Sequence, residues 1–314
     1  MNILNQNISI QDLLQLINQK NHTIKSMELN ACYSLYIKLR ESIVRPDTLR
    51  AYKDHIKPVI EFLNVNNAFE TNDITQELMD KYVRYCLSSG LKNITINKRM
   101  KMFIAMLTRI ADTGSIENPT FKYQRLKEQE PEIAVIKLED VKKILNQIDS
   151  MKLSHQVIIY LLLTTGIRRN ELVNIKTQNI NFDNNSIYLE FTKTGKGRYC
   201  YFNNDIGELI KKLIIQNKCI NNPYLFAKGD SHIDKMTVSS MLLKLKRDLK
   251  IDILSSHKFR HLYATQLLRN GADIYSVKEL LGHSNLRTTQ KYIDFTNEEI
   301  KQNNFKFNPL NNLK

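Results

Sequence analysis

The sequence predicts a mainly α-helical fold in two domains, with one small β-hairpin in the second. Three observations carry this. Only 9 Gly and 6 Pro interrupt the chain, so strong breakers are few. Long segments repeat apolar residues at helical spacing, whereas only a short stretch alternates. And 314 residues exceed what one core usually absorbs. A hydrophobic content of 42% is enough to fill packed cores.

Residues 1–26 form a polar extension with one amphipathic stretch, Ile10 to Ile17. Helical patterning then runs from Met27 to about Thr113. Ala31 to Leu39 carries apolar positions at helix spacing. Asp47 is placed to cap a helix through Leu49, Tyr52 and Ile56 to Phe62, with Pro58 as a kink position. Asp73 or Thr75 starts the next, which carries Leu78, Tyr82 and Cys86 and stops at Gly90. Another spans about Thr95 to Ala111. Together they make a small bundle, residues 27–119. Asn118-Pro119 breaks the pattern, and the charged stretch 120–133, with Pro131, reads as a linker.

The second domain is expected over 134–296. Glu139-Asp140 start a helix through Ile144 and Ile148. Ser154 to Thr164 reads as a buried helix stopped by Gly166, with a new helix from about Arg169. Ser186 to Phe191 alternates as a strand. Thr194-Gly195-Lys196-Gly197 turns the chain, and Arg198 to Phe202 returns as its partner. Helices follow over Asp205 to Gln216, Thr237 to Leu249, Lys258 to Arg269 and Ile274 to Leu281. Gly282 ends the last of these. A final helix, capped by Ser284, is expected to carry Tyr292. Residues 297–314 form a polar tail.

A net charge of +14 with pI near 9.4 points to a polyanionic partner. The basic residues are spread along the chain, which suggests a folded surface that tracks phosphates. Cys32, Cys86, Cys200 and Cys219 lie far apart with no CxxC pair. Neither a zinc site nor a disulfide framework is indicated, and a reducing cytoplasm is expected. The N-terminus lacks the basic and apolar regions of a signal peptide. The longest apolar run, Val157 to Leu163, is too short to span a bilayer.

Certain side chains carry phosphoryl chemistry. Arg168 falls at the break after Gly166, where a planar, permanently charged side chain can grip a phosphate with two hydrogen bonds. Glu171, three residues on, is placed to orient Arg168 or to pair with Arg169. His257 and Arg260 share one face at a helix start, which itself favours an anion. His261 is expected to point elsewhere, as a buried, hydrogen-bonded histidine. His283 lies in the bend after Gly282, and Tyr292 follows nine residues later. Lys193 and Lys196 both lie where an ammonium could protonate a leaving oxygen, and the residues alone do not separate them. Two arginines, two histidines and a late tyrosine are the parts needed to break and remake a phosphodiester through a protein nucleophile without a metal.

In this order the residues resemble the tyrosine recombinase (phage integrase) family. The signature Arg…Lys…His-x-x-Arg…His…Tyr is filled by Arg168, Lys193, His257, Arg260, His283 and Tyr292. The resemblance favours Lys193 over Lys196 from its distance to the returning strand, although the family's usual proline in that strand is absent. It implies an N-terminal helical core-binding domain of SAM-like fold and a tyrosine-recombinase catalytic domain that together hold duplex DNA. Residues 1–26 are too few for the arm-binding domain of larger integrases. The chain is thus similar to compact Xer recombinases and mobile-element integrases.

The implied reaction is site-specific cleavage and rejoining through a 3′-phosphotyrosyl bond, for integration, excision or Xer-like resolution. Tyr292 is the implied nucleophile. Arg168 and Arg260 clamp the non-bridging oxygens, His257 takes or shares the tyrosine proton, Lys193 protonates the leaving oxygen, and His283 binds the phosphate. Neither a metal, a cofactor nor ATP is called for. The implied partners are double-stranded DNA and a homotetramer on two sites, with the tail, Glu298 to Phe305, docking on a neighbour. Two other readings are a type IB topoisomerase or telomere resolvase, and a DNA-binding protein that does not cleave. The filled set of six residues argues against the last.

Overall fold

The computed structural model describes residues 25–128, 134–190, 197–217, 222–290 and 292. The expected stretch Ile10 to Ile17, the tail 297–314, Cys219 and both hairpin lysines lie outside them. The chain divides into two compact units, Met1–Pro131 and Glu132–Lys314.

In the first unit four helices surround one core: α1 (Leu29–Glu41), α2 (Pro46–Val65), α3 (Gln76–Ser88) and α4 (Asn93–Ala111). Helix α2 starts two residues earlier than a cap at Asp47 would set it. Pro46 occupies the first helical position, where its missing N–H costs nothing. Asp47 instead sits in the first turn, where its charge suits the helix dipole. Of the two candidate starts for α3, Thr75 is the cap, its hydroxyl accepting from Leu78 N–H at 3.2 Å. Gly90 follows the end of α3 with φ 74°. The apolar faces meet at Tyr36, Ile56, Leu63, Tyr82, Met100 and Phe103, all essentially inaccessible.

The stretch expected as a linker is described to Glu128, and up to that point it lies along the first unit. Phe121 is buried in that core. Asn97 of α4 fixes the strap with both ends of its amide. It accepts from Leu126 N–H at 2.9 Å and from the Tyr123 hydroxyl, and donates to Leu126 O at 2.9 Å. A buried amide satisfied in this way costs little and specifies one register.

The second unit is built around α6 (Leu153–Thr165), which follows α5 (Leu138–Asn146). Helix α6 is apolar on nearly every side, so it must be covered on several faces. It packs against α8 (Asn204–Asn217) and α10 (Ser256–Arg269). A three-stranded antiparallel sheet flanks it, in the order β1 (Ile180–Asn181), β2 (Ser186–Leu189), β3 (Arg198–Tyr201). Two-residue strands β4 (Ala227–Lys228) and β5 (Ser231–His232) pair separately. Strands this short leave no alternation to read, so β1, β4 and β5 have no sequence signal. Strand β2 stops two residues before the expected Phe191. Past its end, Glu190 is engaged by Lys176 and Asn179, both at 2.9 Å. Period-two geometry turns Ile187, Leu189, Arg198 and Cys200 inward, while Tyr188, Tyr199 and Tyr201 face out.

Helices α7 (Arg169–Val173), α9 (Lys235–Asp248), α11 (Ile274–Leu281) and α12 (Arg287–Gln290) complete the described α-helices. Helix α12 is shorter than expected and begins after Asn285, whose side chain accepts from Arg287 N–H at 2.9 Å. Ser284 is therefore not its cap, and Tyr292 stands in a turn beyond the helix end. The three described cysteines, Cys32, Cys86 and Cys200, are buried and unbridged. No described helix is long and apolar enough to cross a membrane.

Candidate active site

Arg168 is placed by a helix break. Gly166 ends α6 in the left-handed region, φ 57°. A Cβ there would stand 2.5 Å from Tyr263 Cδ1, so glycine is required by both conformation and space. Arg168 then becomes the N-cap of the short helix α7 (Arg169–Val173). Glu171, in the first turn, reaches back to it as the acidic partner of a capping box does. The Glu171 carboxylate accepts from Arg168 N–H at 3.0 Å and from its Nη1 at 2.7 Å. Of the two expected roles for Glu171, orienting Arg168 is therefore the one adopted. Arg169 turns away and donates to Ser239 Oγ. Arg168 Nη2 donates to Gly282 O at 2.9 Å.

Arg260 reaches the same place from α10. It is 4% exposed and donates to Gly166 O at 2.7 Å and to Leu281 O. Burial, with Arg168 and Arg198 nearby, pulls its pKa down to about 9, so it remains a cation at neutral pH. His257, one turn earlier, lies exposed in the first turn of α10.

Gly282 ends α11 at φ 63° and hands the chain to His283. The imidazole is 9% exposed, with Nδ1 2.9 Å from Thr289 Oγ1. Burial first, then Arg260, Arg168 and Arg198, pushes its pKa down to about 4. It is thus neutral at physiological pH and offers a hydrogen bond rather than a charge. The Tyr292 ring stacks on His283 with centroids 6.3 Å apart and planes 21° apart. Burial raises the pKa of the Tyr292 phenol, with Arg260 and Arg168 opposing, so the hydroxyl stays protonated until a base acts.

The structure thus gathers Arg168, Arg260, His283 and Tyr292 around the backbone of residues 281–283. Lys193 and Lys196 lie outside the described residues. His261 departs from expectation. It stands edge-on to Tyr292, with centroids 5.2 Å apart, and its buried Nδ1 has no hydrogen-bond partner among the described residues. The ring packs beside the tyrosine because the turn after α12 folds back onto α10. Two further side chains escaped the sequence reading. Thr289 is fully buried and holds His283. Arg198 is buried on the inner face of β3 and pairs with Glu171 at 2.7 Å. Strand alternation already put Arg198 on the side of Cys200, and an inward arginine needs a carboxylate partner.

The site therefore holds three guanidiniums against the one carboxylate of Glu171, an excess of positive charge suited to a phosphate. Among the described residues, no three His, Cys, Asp or Glu side chains cluster closely enough to hold a metal ion.

Known proteins resemble the chain in both of its units. The phage integrase family model matches residues 134–299, and the phage integrase SAM-like domain model matches residues 28–128. Tyrosine recombinase XerC of Staphylococcus aureus (strain bovine RF122 / ET3-1) is 30% identical over 270 residues, covering 81% of this chain and 88% of that protein. The fold is shared with the Tn1549 transposon integrase in complex with a circular intermediate DNA. There the TM-score is 0.70 at 18% identity, over 88% of this chain and 99% of the other. It is shared also with a lambda integrase tetramer bound to a Holliday junction, TM-score 0.70 at 18% identity, over 91% and 85% of the two chains. With matches across both units and a candidate nucleophile set among two arginines and a histidine, the chain belongs to the phage integrase family.

Proposed function

We propose that this family member is a site-specific DNA recombinase that cuts and rejoins strands through a covalent bond between Tyr292 and the 3′-phosphate of the cut strand. The observation that carries the reading is the convergence of Arg168, Arg260 and His283 on the Tyr292 ring. The Tyr292 oxygen attacks phosphorus, the bond to the 5′-oxygen breaks, and that oxygen leaves with a proton as a free hydroxyl. The reverse attack by a 5′-hydroxyl restores a phosphodiester and frees the tyrosine. Bond energy is conserved, so no nucleotide hydrolysis is needed.

The chain's contribution is positioning and charge stabilisation. Arg168 and Arg260 neutralise the non-bridging oxygens in a site from which water is largely excluded. His283, neutral and fixed by Thr289, donates to the phosphate from its other ring nitrogen. His257 accepts or shares the phenol proton from the exposed start of α10. Lys193 supplies the proton to the leaving oxygen. Double-stranded DNA is the partner, in keeping with the net charge of +14. Four protomers on two sites match the exchange of four strands, and the related lambda integrase structure is a tetramer on a Holliday junction.

The test is a duplex carrying its recombination site with a nick just downstream of the cleaved bond, so that the short 5′-hydroxyl fragment diffuses away. The wild-type protein is expected to accumulate a covalent protein–DNA adduct, resistant to detergent and unaffected by EDTA. Tyr292→Phe should bind the duplex and form none. An adduct that persists in Tyr292→Phe would overturn the assignment.

A further inference from the structure

Arg198 has no part in the transfer described above, yet its side chain is closely held. It lies on the inner face of β3 and is 7% exposed. Nη2 donates to Glu171 Oε2 at 2.7 Å, and Nη1 donates to Leu280 O. Its aliphatic part fills the space above Gly282, where a Cβ would come within 2.6 Å of Arg198 Cδ. One side chain thus joins β3, the helix that follows Arg168, and the end of α11 that leads to His283.

The carboxylate it grips is also the one that orients Arg168. Glu171 is 1% exposed, and one of its oxygens takes Arg168 Nη1 at 2.7 Å. A buried carboxylate in contact with a single guanidinium would cancel most of the charge that guanidinium offers a phosphate. Here the same carboxylate is shared. Its other oxygen accepts both the Arg168 N–H and Arg198 Nη2. Arg198 absorbs part of the negative charge, and the Arg168 guanidinium keeps its orientation without being neutralised. The Arg198 charge also acts on Arg260 and His283, so its field reaches the rest of the site.

We propose that Arg198 is a positioning residue of the phosphate site, which by sharing Glu171 with Arg168 and gripping the Leu280 carbonyl fixes the Arg168 guanidinium and keeps its charge available to the scissile phosphate. This rests on the phosphate-clamping role of Arg168 proposed above.

The experiment compares cleavage of two nicked duplexes by the full chain. One has an ordinary scissile phosphate. The other has a methylphosphonate there, which lacks one anionic oxygen and so needs less cationic help. Arg168→Ala is the reference and should lose about 10²-fold or more on the phosphate, the scale of removing one preorganised donor. Its loss on the methylphosphonate should be much smaller. Arg198→Met is expected to show the same split although Arg198 is buried behind Glu171. The double variant Glu171→Gln, Arg198→Met removes the buried carboxylate together with the arginine that shares it, and should recover part of the phosphate rate lost by Arg198→Met alone. Equal losses on both duplexes for Arg198→Met, with the split intact in Arg168→Ala, would overturn the inference. So would a double variant slower on the phosphate duplex than Arg198→Met. No split in Arg168→Ala would overturn the role of Arg168 and this inference with it.

Discussion

His283 shows how a single side chain links the chemistry to stability. Its pKa in the fold is about 4, against an ordinary value of 6.5. Between these values the unfolded chain binds a proton that the folded one refuses. Stability is therefore full above pH 6.5 and falls as the pH drops towards 4, by on the order of 3 kcal/mol from this residue. His261, lowered to about 4 chiefly by burial, adds in the same direction. Urea denaturation of the wild-type protein should show this loss between pH 6.5 and 4, and His283→Gln should flatten it. A His283→Gln profile as steep as wild type would mean that other groups cause the loss. At Arg260 the two bonds, to Gly166 O and Leu281 O, need a planar fork. Arg260→Lys is expected to bind DNA yet cleave nicked duplex about 10²-fold more slowly.

At the scale of elements, the site depends on how two helices end. Gly166 closes α6 and Gly282 closes α11, both left-handed; Arg168 follows the first by two residues and His283 follows the second directly. A side chain at Gly282 would meet strain and also collide with Arg198. Gly282→Ala should therefore cost more than the ~1–2 kcal/mol of a left-handed alanine, and should slow cleavage as well. Gly229 is the control, since it has φ +55° with nothing within 4 Å of a built Cβ. Gly229→Ala should cost about that same backbone penalty and leave cleavage unchanged. Thermal melts and single-turnover cleavage separate the two cases. The glycines were legible in the sequence as helix stops, because a stop is a local property. Element boundaries were less so. Pro46 moved the start of α2, and Asn285 took the capping role expected of Ser284. Such choices rest on which of several suitable residues the neighbouring backbone reaches first.

For the whole molecule, the first unit has its own core and the second unit's buried clusters are distinct from it, which predicts two folding units. One is centred on Phe103 and Tyr82, the other on α6 and Phe259. Fragments 1–131 and 132–314 should each unfold in a single cooperative transition by circular dichroism, and a fragment that melts without cooperativity would argue against an independent core. The charge of +14 predicts binding dominated by phosphates. If about 6–10 phosphates are neutralised, affinity for duplex should fall roughly 10³–10⁵-fold between about 50 and 200 mM salt. Fluorescence anisotropy across that range checks the slope.

The sequence by itself determined the helical class, the resemblance to the phage integrase family, and the order of Arg168, His257, Arg260, His283 and Tyr292. These follow from periodicity, glycine stops and motif spacing, all of which lie within short windows. Only the tertiary structure decided that Glu171 serves two arginines, that His261 rather than open space borders Tyr292, and that Thr289 holds His283. It alone showed Arg198 reaching Leu280 across 82 residues and Arg168 reaching Gly282 across 114. Contacts over such distances arise when the core closes and buried charge must find a partner, and no local pattern records which partner lies within reach.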